Sequence, residues 1–159
     1  MAAKKPLALY SGQLQQLQTG DTLDAEVSGK ETVSLTNKNA GTITICQAVY
    51  IKSTADQCDL AQADAAGTSD VIGLVADATI TADASGSIQT NGVVTATTGQ
   101  WDAVAGTTGG LAAGTKYWLS AATAGNITAT PPTSGYVTYI GVGLSTTELL
   151  FEPDRAIKL

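Results

Sequence analysis

Three stretches in the C-terminal third of the chain decide its fold class: Gly109-Gly-Leu-Ala-Ala-Gly-Thr-Lys-Tyr-Trp-Leu-Ser120, Gly125-Asn-Ile-Thr-Ala-Thr-Pro-Pro132 and Tyr139-Ile-Gly-Val-Gly-Leu-Ser-Thr-Thr-Glu-Leu-Leu-Phe151. Each contains short runs of β-branched, aromatic or aliphatic residues bounded by Gly, Pro, Asn or Ser. This pattern is typical of strands joined by tight turns. The stretches therefore predict compact β-structure, and they contain few side chains that a catalyst could use.

The same pattern continues toward the N-terminus. The segments Glu31–Thr36 and Gly41–Lys52 alternate apolar with polar residues, as half-buried strands do, and a hairpin turn is expected around Ser53–Asp56. Turn signals recur every 8 to 12 residues. We therefore predict an all-β fold over residues 24–159, a compact barrel or sandwich of about ten short antiparallel strands. A helix is expected only at Leu60–Ala66, for about two turns at most.

Some segments have two readings. Asn91-Gly92 predicts either a type I′ hairpin turn or one bent strand in which Gly92 is a bulge. The similar segments Val71–Val75 and Tyr139–Leu144 are either an internal repeat or two strands that each need a glycine where another backbone approaches closely. Residues 98–114 are predicted as a glycine-rich connection, in which Trp101 either anchors the loop to the core or lies in a subunit contact.

Residues 1–23 are predicted to form an N-terminal arm. Leu7, Leu9, Leu14 and Leu17 are apolar residues among Gln, Ser and Gly, without the spacing of a long amphipathic helix. A fully extended arm of this length would reach roughly 60 to 70 Å at about 3.3 Å per residue. It would therefore cross onto an adjacent subunit or lie along a shell, unless it is a flexible tail or an ordinary first strand.

Charge argues against nucleic acid as a partner. The formal net charge is −6, and no Lys/Arg cluster occurs beyond the few basic residues at the two ends. Neutralisation of phosphates drives most nucleic-acid affinity, so DNA or RNA binding is not expected. No apolar run reaches the length of a membrane-spanning helix or a signal peptide, and we expect a protein made in the cytoplasm without membrane attachment.

The composition also argues against an enzyme. The sequence contains no histidine, so catalytic triads and dyads that use imidazole are excluded. The glycines of residues 106–114 lack the Gly-Lys-Ser/Thr ending of a phosphate-binding loop. We therefore predict no catalytic, cofactor or metal site. Cys46 and Cys58 are expected to be either two packed thiols or a disulfide.

The quoted C-terminal stretches, together with the opening Lys5–Leu23, resemble segments of small virion proteins of tailed bacteriophages. This group comprises capsid decoration (cement) proteins and head- or tail-fibre proteins. The resemblance covers about half of the chain. It implies a structural virion protein that binds the outer capsid surface, contacts the major capsid protein, forms a homo-oligomer, expected to be a trimer, and stabilises contacts between capsid subunits. The alternative is a fibre module that attaches to the virion or binds host surface sugars.

Apolar and aromatic residues outside a core are the natural contact elements of such a protein. Alternation along a strand would send Tyr117 and Trp118 to opposite faces, so one of the two is expected to lie in the core. The predicted contact residues for capsid or subunits are Leu7, Leu9, Tyr10, Leu14, Leu17, Trp101 and Trp118.

Overall fold

The computed structural model describes residues 7–10, 13–16 and 30–159 of the chain, the first two ranges by their backbone only. The predicted boundary between arm and domain, at residues 23 and 24, lies outside the described residues. In the arm, strand β1 (Leu7–Tyr10) pairs with strand β2 (Gln13–Gln16) as an antiparallel two-stranded sheet. The described part of the domain runs from Lys30 to Leu159.

The domain is built from β-strands, which confirms the predicted all-β class. Residues 30–159 contain thirteen strands and one helix, and all but one of the strand pairings in this range are antiparallel. The strands are β3 (Glu31–Asn37), β4 (Ile43–Thr44), β5 (Ala48–Ile51), β6 (Gln57–Leu60), β7 (Gly73–Val75), β8 (Thr79–Ile80), β9 (Ser85–Thr95), β10 (Lys116–Leu119), β11 (Ile127–Thr128), β12 (Tyr136–Val137), β13 (Tyr139–Gly143), β14 (Glu148–Phe151) and β15 (Ile157–Lys158).

Five of these strands pair in a closed ring, in the order β3, β9, β7, β5, β6 and back to β3. The last pairing, between β6 and β3, is the parallel one. Alternation along each strand directs one set of side chains into this small barrel. The buried residues of the barrel interior are Leu35, Ile43, Val49, Cys58, Val75, Ile80 and Ile88.

A second sheet extends from the barrel in the order β9, β14, β13, β10, β11. One of its faces packs on the outside of the barrel wall and on the helix, and this larger core holds most of the buried aromatic side chains. Strand β9 belongs to both halves, since residues 85–91 pair with β3 and residues 92–95 pair with β14. The architecture is therefore a small barrel joined to an open sheet through one shared strand.

Strand β9 resolves the two readings of Asn91-Gly92 in favour of one bent strand. Thr32 is paired with Gln89 and Glu31 with Asn91, so Thr90 is an extra, bulged residue. Gly92 has a φ of 87°, which glycine adopts without strain. The buried side-chain amide of Gln89, just before the bulged residue, donates hydrogen bonds to the backbone carbonyls of Asn91 and Val93, both at 3.0 Å.

The region predicted as a glycine-rich loop contains helix α1 (Thr98–Ala105), so that prediction was wrong there, and no helix forms at Leu60–Ala66. A capping box starts α1: the Thr97 hydroxyl accepts from the Gln100 amide, and the Gln100 side chain accepts from the Thr97 amide. Gly106 ends the helix in the left-handed region, with a φ of 64°.

The turn after α1 is held by a single carboxylate. Asp102 accepts hydrogen bonds from the Gly110 and Gly109 amides, at 2.8 and 3.0 Å, and from the Thr107 hydroxyl at 2.9 Å. The bond from Gly110, helped by those from Gly109 and Thr107, holds the pKa of Asp102 below its ordinary value of 3.8, although partial burial opposes this shift.

We expect the stabilisation from Asp102 to depend on pH. Because its pKa is lowered in the folded state, the contribution is fully present at neutral pH and is lost as the pH falls from about 4 through the lowered folded value. In urea titrations, the unfolding free energies of the wild type and Asp102→Asn should differ most at pH 7, and the difference should shrink as the pH falls below about 4. Glu152→Gln is the control, since no described residue donates a hydrogen bond to its exposed side chain. A gap that stays constant with pH would contradict this assignment.

Candidate contact surface

The second sheet leaves one face uncovered by any described element. On β10, Tyr117 and Leu119 point into the core and Trp118 points to the other side; on β14, Leu149 and Phe151 are buried and Leu150 is half-buried. We call this the outer face. Its apolar members are Val93, Trp118, Tyr139, Val142, Leu144 and Leu150.

Strand pairing brings these side chains together. Val142 is paired with Leu150 and Leu150 with Val93, which forms one row across three strands. Directly paired side chains on one face of a sheet lie within contact distance. Leu144 follows Val142 at the two-residue spacing, and Trp118 is paired with Tyr139. The outer face therefore carries an aliphatic row, Val142, Leu150 and Val93, and an aromatic pair, Trp118 and Tyr139, with Val93 40% and Leu144 46% exposed.

A β-bulge makes this surface possible. Tyr117 is paired with Gly141 and Trp118 with Tyr139, so Ile140 is an extra residue in β13. Ile140 and Gly141 are both buried, whereas Tyr139 and Val142 on either side of them are half-buried. Without the bulge, strict alternation would send Tyr139 and Val142, three positions apart, to opposite faces. The bulge places both on the outer face.

Trp118 and Tyr139 form an aromatic pair at one end of this face. Their ring centroids are 6.5 Å apart, with an interplanar angle of 73°, an edge-to-face arrangement that aromatic rings favour. Partial burial raises the pKa of the Tyr139 hydroxyl, and the nearby carboxylates Glu152 and Asp154 raise it further. The phenol is therefore neutral at physiological pH and presents a hydrogen-bonding group beside an apolar ring.

Charges on the outer face lie at its margins. Lys116 is exposed on β10 beside Val142, and Glu148 lies on β14 beside Thr95. The Glu148 carboxylate accepts a hydrogen bond from the Ser145 hydroxyl at 3.3 Å. An apolar centre with a polar margin is the usual composition of a protein–protein contact surface.

Of the predicted contact residues, Trp118 lies on this surface and Trp101 does not. Trp101 is 0% exposed, and its indole N–H donates to the Thr147 carbonyl at 3.1 Å. Trp101 is thus a core anchor, as one of the two readings held, and its prediction as a contact residue is corrected, because it sits in a helix whose apolar side packs on the sheet. The expectation that one of Tyr117 and Trp118 is core is confirmed, with Tyr117 buried.

The remaining predicted contacts belong to the arm. Leu7, Leu9 and Tyr10 lie in β1 and Leu14 lies in β2, and Leu17 lies outside the described residues. Their role in contacts stays a prediction. Sequence reasoning missed Val93, Val142, Leu144 and Leu150, although their alternation with buried neighbours was visible in the strands.

A surface depression, metal sites and membrane-spanning helices were the other candidate features. An open depression of about 310 Å³ is lined by Asp70, Val71, Pro153, Asp154 and Arg155. Within residues 30–159, no group of three or more Cys, Asp or Glu side chains comes together as a metal site would require. The one helix in the described part of the chain is too short to cross a membrane.

The two cysteines occupy different cores. Cys46 belongs to the core between barrel and sheet, and Cys58 lies inside the barrel. Both are free, buried thiols, as one of the two readings predicted. Burial raises the pKa of Cys46 to about 12 and also raises that of Cys58. Both therefore stay protonated at neutral pH and pack as small apolar groups.

Comparison of the chain with protein-family models and with curated protein sequences gave no match.

Proposed function

We propose that the protein is a structural virion protein, a capsid decoration protein that docks on the outside of a phage shell through its outer face. The observation that carries this proposal is that one face of the second sheet leaves six apolar side chains partly or largely exposed. The resemblance of the N- and C-terminal segments to decoration and fibre proteins supports the setting. The major capsid protein is the proposed partner, and a homotrimer is the proposed assembly.

The surface has the composition that binding requires. Large aromatic side chains near the centre of an interface dominate its energy, and their neighbours contribute chiefly by excluding water. Trp118 supports such a role because it is half-buried against Tyr139 and thus loses little conformational freedom on docking. The outer face offers one anchor of this kind and four aliphatic neighbours.

A ligand that binds only the assembled shell stabilises the shell by mass action. At a free concentration of 100 times Kd, one bound copy contributes about 2.7 kcal/mol per site to the assembled state. Packaged DNA presses shell subunits apart, and a protein docked across their junctions opposes that separation. The net charge of −6 fits the outer shell surface better than the surface that faces the genome.

Co-sedimentation with shells of the phage that encodes the protein tests this proposal. We expect saturable binding by the wild type, and at least tenfold weaker binding by Val93→Lys, because a lysine there would place a charge in the contact. Ile51→Lys is the matched control. Ile51 is 43% exposed, close to the 40% of Val93, but it lies on β5, away from the outer face.

Three outcomes are informative. Loss of binding for Val93→Lys alone supports the proposed surface. Equal binding by both variants would place the contact elsewhere, and absence of wild-type binding would argue against the decoration role itself.

A fibre module that binds sugars is the second candidate, and the Trp118–Tyr139 pair is the observation that favours it. Half-exposed aromatic rings stack on sugar faces, and the carboxylates of Glu152 and Asp154 lie close enough to Tyr139 to influence its phenol. Glycan-array binding that Trp118→Ala abolishes, in a protein that does not sediment with shells, would favour this candidate.

A further inference from the structure

Strand β3 is paired unequally on its two edges. Toward β9 it is paired from Glu31 to Thr36, whereas toward β6 only Thr36 and Asn37 are paired. Strand β6 begins at Gln57, opposite Thr36. The first half of β3 therefore extends past the end of its neighbour, and no other described strand pairs with that edge.

The backbone groups on this open edge follow from the hydrogen bonds farther along the strand. The amides of Thr36 and Lys38 donate across the β6 side, to the carbonyls of Asp56 and Cys58, both at 2.8 Å. Alternate residues of a strand direct their N–H and C=O to the same edge. Thr32 and Ser34 thus present four hydrogen-bonding groups on the open edge.

Among the residues that the structure describes, nothing gives this edge the usual protection. Proteins shield edge strands with proline, bulges, inward-pointing charges or a covering segment. Strand β3 contains no proline, and the bulge opposite it lies in β9. All four residues from Glu31 to Ser34 are exposed, including Val33 at 42%. The edge has the properties of a site that accepts an added strand.

The N-terminal hairpin has the complementary need. Strands β1 and β2 are joined by four residue pairs and form a sheet of their own. A two-stranded hairpin is marginally stable in water, and a third strand or a packed face is needed to hold it. The chain thus carries a hairpin that needs a strand partner, and an edge of β3 with which no other described strand is paired.

We propose that the hairpin β1–β2 docks on the open edge of β3 in the same chain and extends the barrel wall by two strands. Fourteen residues, 17–30, connect Gln16 to Glu31. When fully extended, these residues span about 45 Å. This length is enough for the hairpin to reach the open edge of β3. Covalent connection gives the hairpin an effective concentration in the millimolar range, above that of a second copy at micromolar protein.

Amide exchange in the full-length protein tests the proposal, which does not depend on the proposed function. By NMR, we expect the Thr32 and Ser34 amides to be protected in the wild type. They should exchange at least about tenfold faster in Ala8→Pro/Gln15→Pro, because proline at the central pair of the hairpin removes N–H donors and disrupts its strands. The Thr36 and Lys38 amides, bonded within the domain, are the internal controls and should not change.

Light scattering on the same samples identifies the occupant. A mass that the two prolines leave unchanged, together with protection that they remove, supports docking within one chain. Unprotected Thr32 and Ser34 in the wild type, or protection that survives both prolines, would overturn the proposal. Protection that disappears on dilution together with a larger species would assign the edge to a second copy and would equally overturn it.

Discussion

Gly141→Ala is expected to destabilise the domain by about 3 kcal/mol or more. A Cβ at this position would overlap the backbone carbonyl of Leu150 on the paired strand, and it would also approach the Leu150 carbonyl carbon at 3.0 Å. Overpacking in a core costs about 1 to 3 kcal/mol when side chains can move aside. Here the obstacle is the backbone of β14 at the centre of the second sheet, so relaxation would break ladder hydrogen bonds.

Urea unfolding followed by circular dichroism measures this effect, with Gly99→Ala as the matched control. Nothing lies within 4 Å of a Cβ at Gly99, which is in helix α1. Alanine is the better helix former, so the control should gain about 0.5 to 1 kcal/mol. A Gly141→Ala protein as stable as the wild type would show that β13 and β14 are less closely packed than described.

Truncation of Trp101 is expected to reduce mainly the stability of the domain, whereas truncation of Trp118 is expected to reduce mainly its binding to shells. Trp101→Ala should cost about 4 kcal/mol of unfolding free energy, since it empties a fully buried site and leaves the Thr147 carbonyl without its indole donor. Trp118→Ala should cost about 1 kcal/mol, because the side chain is only half-buried. Binding to shells should show the reverse order, with a loss of about thirtyfold for Trp118→Ala.

Both variants can be compared at a temperature where Trp101→Ala is still folded, so that shell binding and stability are measured separately. Near-native binding by folded Trp101→Ala, together with weak binding by stable Trp118→Ala, is the expected result. If Trp118→Ala binds shells as tightly as the wild type, the outer face is not anchored where we propose.

The strand content was predictable because it rests on local patterns. The hairpin at Ser53–Asp56 forms between β5 and β6 as expected. Of the two readings of the similar segments, close backbone approach is confirmed for both glycines. A Cβ at Gly73 would lie 2.5 Å from the Gln89 carbonyl oxygen, and one at Gly141 would overlap the Leu150 carbonyl.

The helix was missed although a local signal existed. Thr97 and Gln100 have the spacing of a capping box, and Gly106 lies where a helix commonly ends. Thr98 and Gly99 at the start of the helix are poor helix formers, so propensity favoured a loop. Burial of Trp101 and Val104 stabilises the helix, and this tertiary contribution is not visible in the sequence.

Features that depend on which strands pair with each other could not be predicted from local sequence patterns either. The expected continuous strand Gly41–Lys52 is two strands, β4 and β5, separated by a turn in which Cys46 has a φ of 68°. The outer face likewise depends on one bulged residue, Ile140, which changes the side that Tyr139 occupies. Such features depend on which strands become neighbours, and alternation in a single segment does not reveal this.

The shared strand β9 has a mechanical consequence. The outer face lies on the second sheet, and β9 carries any pull on that face directly into the barrel ring. The strands of both halves lie side by side, so a force along β9 loads its ladder hydrogen bonds together in shear instead of opening them one at a time. A protein that clamps an expanding shell through the outer face would yield as one unit, at a force set by the whole β9 ladder.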